Sequence, residues 1–147
     1  MSYIIVEKSA VYESPYVSIC NELLPTKHNA YDFLKSKGFI EFSTTSYLRG
    51  LTFRHNTIIV DECQNMSEAE IHTVITRIGE GCRIIFCGDF GQKDYMKEQS
   101  GMPTLLQISK RMRSLTEIKF GTDDIVRSGF VKEYLLAKND YENAIME

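Results

Sequence analysis

Apolar and polar positions along the chain switch between a period near two and a period near 3.6. Tyr3–Val6 is a short apolar run that predicts a strand. Val17, Ile19, Cys20, Leu23 and Leu24 then fall at helical spacing, and Pro25 stops that helix. Ala30, Tyr31, Phe33 and Leu34 predict a second helix over Asn29–Lys37, with Gly38 suited to its C-cap. Phe39–Phe42 reads as a strand entering the polar loop Ser43–Ser46.

The middle of the chain is the most regular. Thr57–Val60 is a continuous β-branched run, the pattern of a strand buried on both faces of a parallel sheet. It runs directly into Asp61-Glu62. Ser67 and Glu70 fit a capping box. Ile71, Val74, Ile75 and Ile78 follow at i, i+3, i+4 and i+7, and Gly79 and Gly81 end the helix. Arg83–Cys87 is a second buried strand, ending in Gly88-Asp89. Pro103 suits the first turn of a helix whose stripe is Leu105, Leu106, Ile108 and Met112. Glu117–Phe120 is a further candidate strand. Asp123 or Asp124 is placed to cap a last helix with Ile125, Val126, Phe130, Val131, Tyr134 and Leu135 inward, and the tail from about Asn139 is expected to fray.

This alternation predicts an α/β fold, a parallel sheet flanked by helices, in one domain over residues 1–147. Ligands in such sheets bind at the carboxyl ends of the strands. Asp61-Glu62 and Gly88-Asp89 are therefore expected on one edge.

Composition narrows the partners. The 147 residues are 43% hydrophobic and 25% charged, ordinary for a folded domain and wrong for a disordered chain. A net charge of -3 argues against a nucleic-acid coat or a polybasic membrane binder, while leaving room for a local basic groove. No apolar run approaches the roughly 20 residues of a membrane helix, and MSYIIVEKSA lacks the layout of a signal peptide. A cytoplasmic protein with no membrane partner is expected. The cysteines at 20, 63, 82 and 87 form no CxxC pair and the histidines at 28, 55 and 72 are scattered, so buried reduced thiols are expected rather than a zinc site.

The chemistry lies at the two strand ends. An apolar strand closing on Asp61-Glu62 has the Walker B pattern: a rigid strand delivers one carboxylate to a nucleotide-bound Mg²⁺, and the next polarises water. The plain alternative is a solvated loop. Ile84–Cys87 closes on Gly88-Asp89-Phe90-Gly91-Gln92, where glycine allows a tight turn and glutamine can donate to a phosphate oxygen. A metal-dependent nuclease built from Asp61, Glu62, Asp89 and Asp94 is the competing reading of the acids. Tyr12, Tyr16, Tyr31 and Tyr47 lie among Lys27, Lys35, Lys37, Arg49 and Arg54, a composition that stacks on single-stranded bases or forms an ordinary half-buried surface. Lys110, Arg111 and Arg113 are accounted for by the dipole of the helix they close.

Asp61-Glu62-Cys63-Gln64-Asn65 resembles motif II of DExQ-type helicases, and Gly88-Asp89-Phe90-Gly91-Gln92 resembles their motif III. Together with Tyr47–Thr52, Thr76–Gly79, Ser100-Gly101 and Asp123–Arg127, in that order, the set resembles the PhoH-like family of P-loop ATPases from about Ser14 to Ala137. The resemblance implies a RecA-like P-loop NTPase core using ATP and Mg²⁺. It implies Asp61 on Mg²⁺, Glu62 activating water, Gln92 sensing the γ-phosphate with Gly88 and Asp89 supporting it, and Arg127 neutralising charge. It also implies Arg49 and Arg77 as phosphate or RNA contacts, each with a surface salt bridge as the plain alternative.

One departure is large. No G-x-x-x-x-G-K-[ST] occurs, so the loop that supplies amides and a lysine to the phosphates is missing, together with the N-terminal P-loop unit that carries it in the family. The resemblance then implies a separate chain carrying Walker A, a split familiar in bacteriophages, with RNA or single-stranded DNA as the coupled polymer. Without that unit, whose strand sits at the centre of the family's sheet, an edge is expected to stay unpaired or Tyr3–Val6 to substitute for it, and a partner chain or self-association is expected to cover an open edge. A non-hydrolytic binding module that retains the fold is the competing outcome.

Overall fold

A computed structural model describes residues 2–7, 13–48, 50–89 and 100–146. The chain divides into two units, Met1–Arg111 and Met112–Glu147.

Among the described residues the first unit is built on four parallel strands, β1 (Ser2–Glu7), β2 (Ile40–Thr44), β3 (Asn56–Val60) and β4 (Arg83–Phe86), in the order β2-β1-β3-β4. The α/β reading therefore stands. β1, the first strand in sequence, pairs on both sides: Ile5 lies opposite Phe42 and opposite Ile59. Ile59 in turn lies opposite Ile85. The pleat puts Tyr3, Ile5, Ile59 and Ile85 on one face and Ile4, Val6, Ile58 and Val60 on the other.

The two faces are covered by connections running in opposite directions. From β1 to β2 the chain passes through α1 (Ser14–Leu23) and α2 (Ala30–Ser36). Cys20, Ala30 and Tyr31 pack there with Tyr16, Val17, Leu24, Leu34 and Ile40 on the Tyr3–Ile59 face. From β3 to β4 it passes through α3 (Glu68–Ile75), which a right-handed crossover places on the opposite face. Val6, Ile58 and Val60 are completely buried on that face, as is Val74 of α3. The capping box of α3 forms as predicted: Ser67 Oγ accepts from Glu70 N and Glu70 Oε2 accepts from Ser67 N. Thr45 Oγ1, just past β2, donates to Glu70 Oε1 at 3.1 Å and ties the helix start to the sheet. α4 (Met102–Ser109) carries Pro103 in its first turn, as the sequence predicts, and buries Met102 and Leu105.

Several expected boundaries move. β2 continues through Ser43 and Thr44, both buried, because β1 offers Val6 and Glu7 as partners. α3 ends at Ile75, so Ile78 is not on its stripe: Phe53 N donates to Arg77 O and Gly79 N to Phe53 O, which draws residues 77–79 into a β-bridge. Met112 lies beyond the end of α4.

In the second unit Glu117–Phe120 is not a strand, and Ile118 and Phe120 are 77% and 84% exposed. Alternation makes a strand only where another strand supplies ladder bonds, and none does so here among the described residues. Asp123 and Asp124 do not cap the last helix. They form a short 3₁₀ turn, Thr122–Asp124, in which Asp124 Oδ2 accepts from Gly121 N. The helix α5 begins later, at Gly129, and runs to Met146, so the tail does not fray at Asn139. Its residues are mostly good helix formers, which hold it without burial. Val126 ahead of it and Phe130 and Tyr134 on it are 96%, 80% and 60% exposed, not inward.

Candidate functional site

β1, β3 and β4 all end at one edge, and each ends beside an acid. Glu7 closes β1 and is buried, Asp61 follows β3, and Asp89 lies just past β4. β3 and β4 are parallel neighbours, so Asp61-Glu62 and Gly88-Asp89 share this edge as the sequence predicts.

Asp61 is held at both oxygens. Glu62 N donates to its Oδ1 at 3.0 Å, and the Tyr16 hydroxyl, from the start of α1, donates to its Oδ2 at 2.5 Å. Burial first, and this bond second, keep the Tyr16 phenol protonated well above its ordinary range. Asp61 N is itself tied to Val6 O in β1. The carboxylate is thus fixed at the edge with one lone pair of each oxygen unused.

Glu62 has a left-handed backbone, with φ of 47°. A non-glycine residue there costs of order 1 kcal/mol, and such residues cluster at functional sites. The turn ends the strand and leads into the 3₁₀ segment Cys63–Asn65. Gln64, buried in that segment, donates from Nε2 to Glu62 Oε2 at 2.6 Å and accepts from Asp89 N at its Oε1 at 3.3 Å. One amide side chain therefore joins the two acidic loops. Gly88 makes room for it: a Cβ there would stand 2.8 Å from both Gln64 Oε1 and Cys63 Sγ. Replacing Gln64 by Leu, which keeps the bulk and removes both bonds, is expected to cost about 1–3 kcal/mol. A urea midpoint lowered without a change in slope would show it.

Cys63 Sγ is wholly enclosed behind this segment. Burial, and then the neighbouring Cys87, push its thiol up to about 12 from 9.0. A raised acid keeps its proton when folded, whereas the unfolded thiol loses it above about pH 9. The stability this group supplies is thus complete below pH 9 and is lost as pH climbs toward 12. Burial raises Cys20 and Cys87 in the same direction. Thermal melts between pH 7 and pH 11 are expected to fall steadily on the alkaline side, and less steeply in Cys63→Ala.

The remaining predicted site residues lie elsewhere. Arg77 follows α3, whose direction carries it away from the acids to the edge where the strands begin. There its carbonyl accepts from Phe53 N, and its Nε is buried with no hydrogen-bond partner among the described residues. The structure does not bring it to Asp61. Arg127 lies in the second unit, exposed, between the 3₁₀ turn and α5. Arg49 and Gln92 lie outside the described residues, as do Tyr12, Phe90, Gly91 and Asp94.

Glu7, Tyr16 and the bridging part of Gln64 are the residues that sequence reading missed. Glu7 had a signal, since it too is an acid ending an apolar run. No group of three or more His, Cys, Asp or Glu side chains is arranged to hold a metal among the described residues. A single carboxylate with free lone pairs suits Mg²⁺, which keeps most of its shell as water and phosphate. Asp61 fits that ion and does not make a closed protein cage.

Comparison with known proteins follows the same residues. A family model described as PhoH-like protein matches residues 4–139, which takes in Ile4–Glu7 of β1 and so begins ahead of the Ser14 at which the motif resemblance starts. Protein PhoH of Escherichia coli strain K12 is 31% identical over 134 residues, covering 90% of this chain and 38% of that protein. A PhoH-like protein of Bacillus subtilis strain 168 is 30% identical over 132 residues, 89% of this chain and 41% of the relative. A Synechocystis PhoH-like protein is 31% identical over 134 residues. The chain thus spans about two fifths of the length of these curated relatives. No helix among the described residues is long and apolar enough to cross a membrane.

Proposed function

The chain belongs to the PhoH-like family, and from that membership we propose that it supplies the acidic half of an ATP-hydrolysing site, coupled to RNA or single-stranded DNA. The observation that carries this is the locked pair Asp61-Glu62 at the carboxyl edge of a parallel strand, joined through Gln64 to the loop after β4. Asp61 would hold Mg²⁺, and Glu62 would take a proton from the attacking water. Tyr16 keeps the Asp61 carboxylate from rotating, and Gln64 does the same for Glu62. Gln92, three residues past Asp89, is assigned to the γ-phosphate and Arg127 to the charge that develops on transfer. Bound Mg²⁺-ATP supplies the phosphoryl group and its counter-charge; this chain supplies positioning and the base.

The second half of the proposal is that the phosphate loop G-x-x-x-x-G-K-[ST], which these 147 residues do not contain, is supplied from outside them. Purification from its own cells, followed by a phosphate-release assay with and without single-stranded RNA and DNA, tests both halves. Hydrolysis by the purified complex, with none from the isolated chain, is the expected result. Full hydrolysis by the isolated chain, or none from a complex that contains such a loop, would refute it. The same missing loop favours the second reading, a non-hydrolytic module that binds nucleic acid or protein. That reading predicts salt-dependent binding that nucleotide does not alter.

A further inference from the structure

We propose that Gln64 is a coupling residue: its one side-chain amide makes the orientation of the Glu62 carboxylate depend on where residues 87–89, just past β4, stand. The catalytic weight of this coupling rests on the reading of Glu62 as the base. The coupling itself is a property of the folded chain.

The ladder between β3 and β4 runs on past both strands. Cys87 N donates to Val60 O at 2.8 Å, and Cys63 N donates to Cys87 O at 3.0 Å. Cys63 is wholly buried, so the segment that follows Glu62 is anchored beneath the acids. From there a side chain carries the link on. Gln64 donates from Nε2 to Glu62 Oε2 at 2.6 Å and accepts from Asp89 N at 3.3 Å. Glu62 is the end that can respond. Its main chain is held in the left-handed region and its N–H donates to Asp61 Oδ1, while its side chain is exposed and keeps its torsions.

Three features make this amide a transmitter. Its sense is fixed: an ionised carboxylate only accepts and a backbone N–H only donates, so nitrogen must face Glu62 and oxygen must face Asp89, and a flipped amide would lose both bonds. Its surroundings are dry: Gln64 is 5% exposed, so a partner that moves away leaves a buried polar atom unmet, and the amide follows it instead. Its space is reserved: a Cβ at Gly88 would stand 2.8 Å from Gln64 Oε1. A shift of Asp89 N therefore turns the amide, and the amide turns Glu62. With Oε2 taken by Gln64, the direction in which the other oxygen meets water follows from that turn. Gln64 touches no reacting atom and acts through Glu62, which makes it a positioning residue. Misplacing a reacting group by about 1 Å can cost about 100-fold in rate.

Two measurements test this. In the isotope-labelled 147-residue chain, Glu62→Ala is expected to shift the Asp89 amide resonance, and to leave it in place where Gln64→Met is already present. Methionine keeps the unbranched length and removes the donor. In the complete assembly, Gly88→Ala, whose Cβ would meet Cys63 and Gln64 first, is expected to lower kcat about 10–100-fold with KM for ATP unchanged. Gln64→Met is expected to do the same, and the two together no more than either alone. A merely structural Gln64 would give no Asp89 response and losses that multiply. An Asp89 shift that persists with Gln64→Met, no shift in the wild-type background, or multiplying losses would overturn the proposal. If Gln64→Met does not fold, the side-chain amide protons of Gln64 are read directly: Gly88→Ala is expected to move them, and an unmoved pair overturns the proposal as well. Its failure is separable from that of the enzymatic reading. The Asp89 response without hydrolysis refutes only the enzyme, and Glu62-dependent hydrolysis without the response refutes only the coupling.

Discussion

Glu62→Gln in the complete assembly is expected to lower kcat by about 10²–10⁴-fold while leaving ATP affinity unchanged. General-base catalysis contributes on that order. The substitution isolates basicity because the geometry survives it. The new side-chain carbonyl can accept the Gln64 Nε2 bond that Glu62 Oε2 accepts now, and the backbone amide still donates to Asp61 Oδ1. The left-handed turn at φ of 47° is kept as well. Single-turnover hydrolysis alongside equilibrium nucleotide binding separates the two effects. Wild-type turnover in the variant would remove Glu62 from the role of base, whatever becomes of Asp61.

Gly101→Ala is expected to destabilise the first unit by about 3 kcal/mol, at the upper end of overpacking effects. A Cβ at Gly101 would stand 2.4 Å from Glu68 Cα and 2.5 Å from Glu68 N. These are backbone atoms of the first turn of α3, so no side chain can swing aside. Gly101 N also donates to Met66 O, which holds the start of α4 against the same turn. Relief would require α4 to move off and uncover Met102 and Leu105. Gly129→Ala is the internal contrast. Its Cβ would meet nothing within 4 Å, and at the first position of α5 alanine gains helix propensity of up to about 1 kcal/mol. Urea denaturation of both variants should move in opposite directions; equal and small shifts would mean that α4 is not held where Gly101 puts it.

The residues that ended strands were legible because an acid after a β-branched run is a local signal. Asp61-Glu62 and Gly88-Asp89 share an edge as that signal predicts, and the Ser67–Glu70 box forms as written. Tyr16 was not legible as a partner of Asp61, since 45 residues separate them and no local pattern joins α1 to β3. Arg77 stands apart from Asp61 for a related reason: its place just after α3 is local, but the direction in which the helix leaves the acidic edge is a property of the crossover. Glu117–Phe120 and the apolar face of α5 failed differently. Periodicity reports which residues could be covered together; it carries no information on whether a neighbour covers them, and here Ile118, Phe120 and Phe130 stay largely exposed.

The central place of β1 has a kinetic consequence. The earliest strand of these 147 residues is the one that must be paired on both sides, and its partners lie at residues 40–44 and 56–60. Every ladder among the described residues is parallel, so none of these can close as a local hairpin. Tyr3-Ile4-Ile5-Val6 therefore waits unpaired through the synthesis of two helices, and the sheet condenses late around a strand made early. Such non-local pairing slows folding and lengthens the exposure of an apolar segment. For this chain the vulnerable moment is nascent, before β3 arrives.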